Sequence, residues 1–372
     1  MIKVMSIFGT RPEAIKMAPV VKALERAEGI ESVVCVTAQH REMLDQVLTL
    51  FDIQPDHDLN IMKSGQSLSE ITARVLLGLE AVMKEEKPDL VLVHGDTSTT
   101  FSAALAAFYN GIKVGHVEAG LRSYDKLSPF PEEINRSLVG RLADLHFAPT
   151  QGNYKNLISE HIKKEAICIT GNTVIDALYD VIEETYTFEQ DVLNHIDYAN
   201  RRVIFMTAHR RENLGEPMEN IFSAVRHIVD HNEDVEVVFP MHLNPKVREV
   251  AYKHLEGHNR IHLIDPLEYK PSANLMKRCY LILTDSGGIQ EEGPSLGKPV
   301  VVLRRETERP EAVEAGTVRM AGVDRNRIID IVQTLLSDYS AYEAMAGAVN
   351  PYGDGTASEQ IVQAIQRFFD GM

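Results

Sequence analysis

Short apolar runs alternate with longer helical patterns along nearly the whole chain. In the first half the runs fall at 4–8, 33–37, 90–94, 114–117, 145–148 and 167–170. Each has strand length, and the continuous apolar character suits strands buried on both faces. Between them, 14–27, 41–51, 68–86, 99–109 and 132–142 read as helices. That βαβ alternation predicts a parallel sheet covered by helices on both sides. Residues 172–184 read as a linking helix, and a polar stretch without strand signal follows as far as Asn200. The pattern then restarts, with runs at 203–207, 235–239, 261–264, 281–283 and 300–303. The expected fold class is α/β: two doubly wound, Rossmann-like domains facing a cleft. In such sheets ligands sit beyond the carboxyl ends of the strands, and here the polar motifs fall there repeatedly.

Composition narrows the picture without changing it. A length of 372 residues suits two domains with ample core, and 25% charged against 44% hydrophobic residues is ordinary for a globular protein. The formal charge of −16 argues against nucleic acid or an anionic membrane as the main partner. Cys35, Cys168 and Cys279 are scattered, with no disulfide or zinc spacing, which fits a reducing cytosol. No apolar run is long enough to span a bilayer, and the opening residues read as a first strand and not as a signal peptide. The expected location is cytoplasmic.

The strand ends carry the candidate chemistry. Leu281–Thr284 runs into Asp285-Ser286-Gly287-Gly288 and then a short helix containing Glu292. Glycines allow close backbone approach, and a helix start offers unpaired N–H groups to phosphate. Glu292, about one turn in, could accept from ribose hydroxyls. After the first strand, Gly9-Thr10-Arg11-Pro12-Glu13 opens a helix, with Arg11 and Lys16 flanking an anion-ready start. Asp96 and Glu118 end two further strands, and Glu132 begins another helix. Taken singly, Asp96 reads as a helix N-cap and Glu132 as dipole compensation. Together, three carboxylates on one rim would repel phosphate, so some should face a sugar, where crowding favours proton transfer. In the second half, His209 and Arg210 follow that half's first strand, and Arg309 follows the strand after the Ser-Gly-Gly turn. His209 could donate to a leaving phosphate, and Arg309 could pair with one.

These motifs recur together, in order, in one family. Gly9-Thr10-Arg11-Pro12-Glu13, His94-Gly95-Asp96-Thr97, Gly115-His116-Val117-Glu118-Ala119-Gly120 and Ser128-Pro129-Phe130-Pro131-Glu132-Glu133 with Asn135-Arg136 supply the first half. Gly171-Asn172-Thr173, Thr207-Ala208-His209-Arg210-Arg211-Glu212-Asn213, Asp285-Ser286-Gly287-Gly288 with Gln290-Glu291-Glu292, and Thr307-Glu308-Arg309-Pro310-Glu311 supply the second. Over essentially its whole length the sequence resembles the bacterial non-hydrolysing UDP-N-acetylglucosamine 2-epimerases. The resemblance implies a GT-B-like fold and a homodimer. It also implies interconversion of UDP-GlcNAc and UDP-ManNAc for surface polysaccharide precursors, with no metal or nicotinamide cofactor. Asn350-Pro351-Tyr352-Gly353-Asp354-Gly355 resembles the family's carboxyl-terminal motif, after which the last helix returns to the first domain. The expected domains are therefore 1–172 with 354–372, carrying the carboxylates, and 173–353, holding UDP.

On matching positions the resemblance makes Asp96, Glu118, Glu132 and His209 catalytic. It assigns Arg11, Lys16, Arg210, Ser286, Gly287, Gly288, Glu292 and Arg309 to UDP and its diphosphate. Some members bind a second UDP-GlcNAc as an activator, near positions that match Gln39, Glu42, Gly65 and Gln66. This sequence departs from the activator-dependent pattern at Glu42 and Gly65, so near-hyperbolic kinetics are expected. The family route breaks the anomeric C–O bond so that the C2 proton becomes acidic, leaves a bound 2-acetamidoglucal, and re-adds UDP after reprotonation on the other face. A glycosyltransferase of the same fold, or a UDP-sugar-binding regulator, is the alternative.

Overall fold

The computed structural model describes residues 1–38, 41–63 and 65–371. The chain forms two compact units, Met1–Asp180 with Tyr352–Met372, and Val181–Pro351. The first holds seven parallel strands: β1 Ile2–Phe8, β2 Ile30–Val36, β3 His57–Asp58, β4 Leu90–His94, β5 Lys113–Val117, β6 Leu145–Ala148 and β7 Ile167–Ile169. Their order is β3-β2-β1-β4-β5-β6-β7, so the winding reverses between β1 and β4. Both central strands are buried on two sides. Met5, Ile7, Val91 and Val93 pack with Val75 and Leu79 of helix Leu68–Glu86 and with Ala103 and Ala107 of helix Ser98–Tyr109.

The return segment completes this unit. Helix Ala357–Asp370 packs on helix Arg11–Arg26 and buries Ile361, Val362 and Ile365. Asp176 accepts the Ala357 and Ser358 N–H groups at 3.3 and 2.7 Å, and the Asn172 N–H donates to the Tyr352 carbonyl at 2.7 Å. Through these bonds most of helix Thr173–Val181 belongs to the first unit, whereas the expected boundary lay ahead of it.

The second unit repeats the plan with β8 Arg202–Thr207, β9 Val235–Pro240, β10 Ile261–Ile264, β11 Leu281–Thr284, β12 Val300–Val302 and β13 Val318–Met320. All pairs are parallel, in the order β10-β9-β8-β11-β12-β13, and the winding reverses between β8 and β11. Helix Glu216–His231 buries Met218, Phe222 and Val225 in this core. Two strands, β3 and β13, had no sequence signal. The stretch before Asn200 contains only the short helix Asp191–Asn194 among its regular elements. Among the described residues no helix is long and apolar enough to cross a membrane.

Candidate active site

In the first unit the carboxyl ends of β1, β4 and β5 gather the polar side chains. Gly9 ends β1 where nothing larger fits: a Cβ there would lie 1.9 Å from Thr37 Oγ1 and 2.9 Å from Thr99 Oγ1. Glu13, 2% exposed, sits three residues beyond Thr10 and accepts the Gly9 and Thr10 N–H groups at 3.1 and 2.8 Å. Its other oxygen accepts the hydroxyls of Thr97 and Thr100 at 2.7 and 3.1 Å. One buried carboxylate thus ties the loop after β1 to the loop after β4. Arg11 opens the helix half-buried, and Lys16, one turn on, pairs with Glu118.

Glu118 follows β5 at φ +63°, a left-handed conformation uncommon outside glycine and characteristic of constrained functional positions. Its Oε1 meets Lys16 and accepts from Asn172 Nδ2 at 2.9 Å, while Oε2 lies 3.7 Å from His94 Nε2. Burial drives the His94 pKa down to about 4, so that ring stays neutral beside the carboxylate.

Asp96 does not cap the helix after β4. Thr97 does, its hydroxyl accepting the Thr100 N–H at 3.1 Å. The Asp96 carboxylate turns instead to the Arg136 guanidinium, and its backbone carbonyl accepts from Asn135 Nδ2 at 2.9 Å. Burial raises the Asp96 pKa to about 6; Arg136 opposes the shift, and Glu118 and Glu132 add to it. Glu132 is half-buried at the first position of helix Glu132–Leu142. The three carboxylates therefore share one electrostatic environment.

In the second unit the corresponding strand ends are those of β8 and β11. Asp285, fully buried, accepts at Oδ2 the N–H groups of His209 and Arg210 (2.8 and 2.9 Å) and the Asn213 amide at 3.1 Å. Its Oδ1 lies 3.2 Å from His209 Nδ1. The Arg210 side chain curls toward the turn: its Nε donates to the Asp285 carbonyl at 3.3 Å, and Nη2 lies 3.9 Å from where a Gly287 Cβ would stand. Ser286 turns the chain with its N–H on Thr284 Oγ1 at 2.9 Å, and helix Ile289–Ser295 starts three residues later. Glu292 is nearly buried in that helix. Arg309 pairs with the buried Glu291, so it is anchored as well as cationic. A cavity of about 170 Å³ opens at these strand ends between His209, Ser286, Phe205, Pro266, Leu267 and Ile289.

Of the regulatory pair, Gln39 lies outside the described residues and Gln66 is half-buried. Gly65 adopts φ +73°, a backbone that a residue with a side chain would hold only under strain. Sequence reading missed Glu13, Asn172, Arg136 and Asp285 as site residues. The Thr-x-x-Glu spacing from Thr10 could have revealed Glu13, and the four-residue step from Glu132 to Arg136 puts both on one helix face.

Two doubly wound parallel sheets, each with ionisable side chains gathered where its winding reverses, place the protein in the GT-B class of α/β folds. A family model described as UDP-N-acetylglucosamine 2-epimerase matches residues 22–366. The chain belongs to the UDP-N-acetylglucosamine 2-epimerase family. It is 57% identical to a Bacillus subtilis UDP-N-acetylglucosamine 2-epimerase, over 98% of this chain and 95% of that one. A Staphylococcus aureus structure described as an MnaA–UDP co-structure matches with TM-score 0.90 and 54% identity, over 100% and 98% of the two chains. The Neisseria meningitidis UDP-GlcNAc 2-epimerase bound to UDP-GlcNAc matches with TM-score 0.88 and 51% identity, over 98% and 100%.

Proposed function

We propose that this protein inverts C2 of UDP-N-acetylglucosamine to give UDP-N-acetylmannosamine, reversibly, by eliminating UDP and adding it back. The observation that carries the reading is Asp96. A carboxylate with its pKa raised to about 6, beside Glu118 and Glu132, is a base fitted to a weakly acidic carbon acid at neutral pH. C2 bears an amide and has no carbonyl neighbour. Loss of UDP from C1 builds positive charge next to it, and one carboxylate takes the proton. The electron pair released at C2 closes the glycal double bond, and the bond pair from C1 leaves with the UDP oxygen. Protonation of the opposite face by a second carboxylate, with return of UDP to C1, gives the epimer. Asp96, Glu118 and Glu132 are the groups for the two faces, with Lys16 and Asn172 fixing Glu118.

His209, Arg210, Arg309 and the Ser286–Gly288 turn hold the diphosphate, whose growing charge they stabilise. Glu292 takes the ribose hydroxyls. The cavity between Phe205, Pro266 and Leu267 suits a flat pyrimidine, with apolar walls and a polar end at Ser286. The assembly is a homodimer. Adjacent helices of the first unit expose Leu77, Phe108, Tyr109 and Leu138, the large apolar surface that a second copy would cover. The compartment is the cytoplasm, and the product feeds surface polysaccharide synthesis. Incubation with UDP-GlcNAc alone in heavy water tests the reading. NMR should show UDP-ManNAc carrying deuterium at C2. Product without deuterium would replace the elimination route by an internal proton or hydride shuttle, and sugar transfer to an added acceptor without epimer would favour a glycosyltransferase.

A further inference from the structure

We propose that Asp285 is a positioning residue for His209, holding the imidazole with a proton on Nδ1 so that Nε2 is the atom exchanging a proton with the diphosphate. The inference rests on the reading of His209 as a diphosphate ligand and assigns a task to a carboxylate outside that set. Asp285 is buried at the point where β11 meets the loop after β8, and its two oxygens are treated differently. Oδ2 is saturated by the His209 and Arg210 N–H groups and the Asn213 amide. Oδ1 faces His209 Nδ1 at 3.2 Å and, among the described residues, has no hydrogen-bond partner in good geometry. A buried carboxylate oxygen left without a proton donor is costly. If Nδ1 carried its lone pair there, two acceptors would face each other. A proton on Nδ1 removes that conflict, and a small ring rotation makes the bond.

The other charged or titratable groups facing His209 are Arg210 and His242, whose ring stacks at 5.8 Å between centroids. Both disfavour a charged imidazole, as does burial, and the His209 pKa is drawn below its ordinary value; Asp285 is the group that opposes them. A bound diphosphate brings further negative charge and completes the shift toward the cation. When the C1–O bond breaks, its electron pair stays on the diphosphate oxygen, which receives the Nε2 proton. The neutral ring keeps Nδ1–H on Asp285. On re-addition the proton returns to Nε2 as the oxygen bonds to C1, so no net proton is consumed.

The full-length protein labelled with ¹⁵N-histidine provides the test, with His209 assigned by the signal lost in His209→Gln. At neutral pH without ligand, the wild-type ring should be the Nδ1–H tautomer. In Asp285→Asn the amide oxygen can still accept the two backbone N–H groups while its NH₂ faces Nδ1. The ring should therefore switch to Nε2–H, the His209 pKa should fall, and kcat should drop by about 10²-fold or more while KM changes little. The alkaline limb of kcat should move to lower pH. A purely structural Asp285 would leave the tautomer unchanged, and that result overturns the proposal. Wild-type His209 found as Nε2–H overturns it too, and this arm needs no folded variant. Failure of the epimerase reading would show separately, as wild-type protein without epimer formation, because the tautomer is read without turnover.

Discussion

Arg309 shows how one side chain can serve two purposes. The sequence presents it as a ligand cation with little bearing on folding, yet it also neutralises Glu291, whose side chain is 1% exposed. Arg309→Ala should weaken UDP binding by about 1.5–3 kcal/mol, the worth of charge-assisted hydrogen bonds. It should also destabilise the protein by about 3 kcal/mol, because a buried carboxylate loses this cationic partner. Adding Glu291→Gln should restore much of the stability and none of the affinity, as read by urea unfolding and UDP calorimetry. Asp96 couples function to stability through pH. Its pKa is about 6 folded against 3.8 in the reference state, so the folded protein holds this proton more tightly between those values. Stability therefore falls as pH rises through that window, and the cost is complete above about pH 6. Asp96→Asn lacks the term. Between pH 4 and 7.5 its stability relative to wild type should improve by about 2 kcal/mol, while turnover falls by about 10² or more. Wild-type kcat/KM should lose activity below about pH 6, where Asp96 becomes protonated.

At the level of elements, both units place a buried carboxylate where the winding reverses: Glu13 joins the loops after β1 and β4, and Asp285 joins those after β8 and β11. The first tie depends on the missing side chain at Gly9. Gly9→Ala drives a methyl group into Thr37 Oγ1 at 1.9 Å and should cost about 1–3 kcal/mol. Thr37→Ala removes that oxygen and leaves Thr99 Oγ1 at 2.9 Å and Thr37 Cβ at 3.3 Å, so the double variant should regain part of the loss in denaturant titrations. The central strands were legible because burial on both faces writes an unbroken apolar run, as in β4 and β11. The edge strands were not. His57–Asp58 is two polar residues long, and Val318–Met320 interrupts its apolar character with Arg319. The strand-end motifs fall on the loops that directly follow β1, β4, β5, β8 and β11, since glycine and charge directly after an apolar run are local signals. The partners were hidden by distance along the chain: Asp96 meets Arg136 across 40 positions, and Asp285 meets His209 across 76. Only the strand order brings such pairs together.

Over the whole molecule, the first unit depends on a segment that the chain reaches last. Ile361, Val362 and Ile365 of the return helix are buried in that unit. Removing residues 352–372 would delete these buried side chains and expose the face of helix Arg11–Arg26 that they cover, forfeiting about 1.5–3 kcal/mol for each large side chain. That loss is comparable to a typical domain's entire stability. The truncated protein should lose the first unit's transition in scanning calorimetry and keep that of Val181–Pro351. Full retention of both transitions would show the return helix to be dispensable. The same arrangement sets an order of events on the ribosome. The seven strands of the first sheet emerge early, but their covering helix is translated only after all of Val181–Pro351. At about 5–20 residues per second, the nascent first unit waits roughly 10–40 s with an apolar flank uncovered. The contiguous second unit meanwhile has everything it needs to fold. Synthesis thus favours completion of Val181–Pro351 before the unit that carries Asp96, Glu118 and Glu132, and leaves that uncovered flank as the natural place for a chaperone to bind.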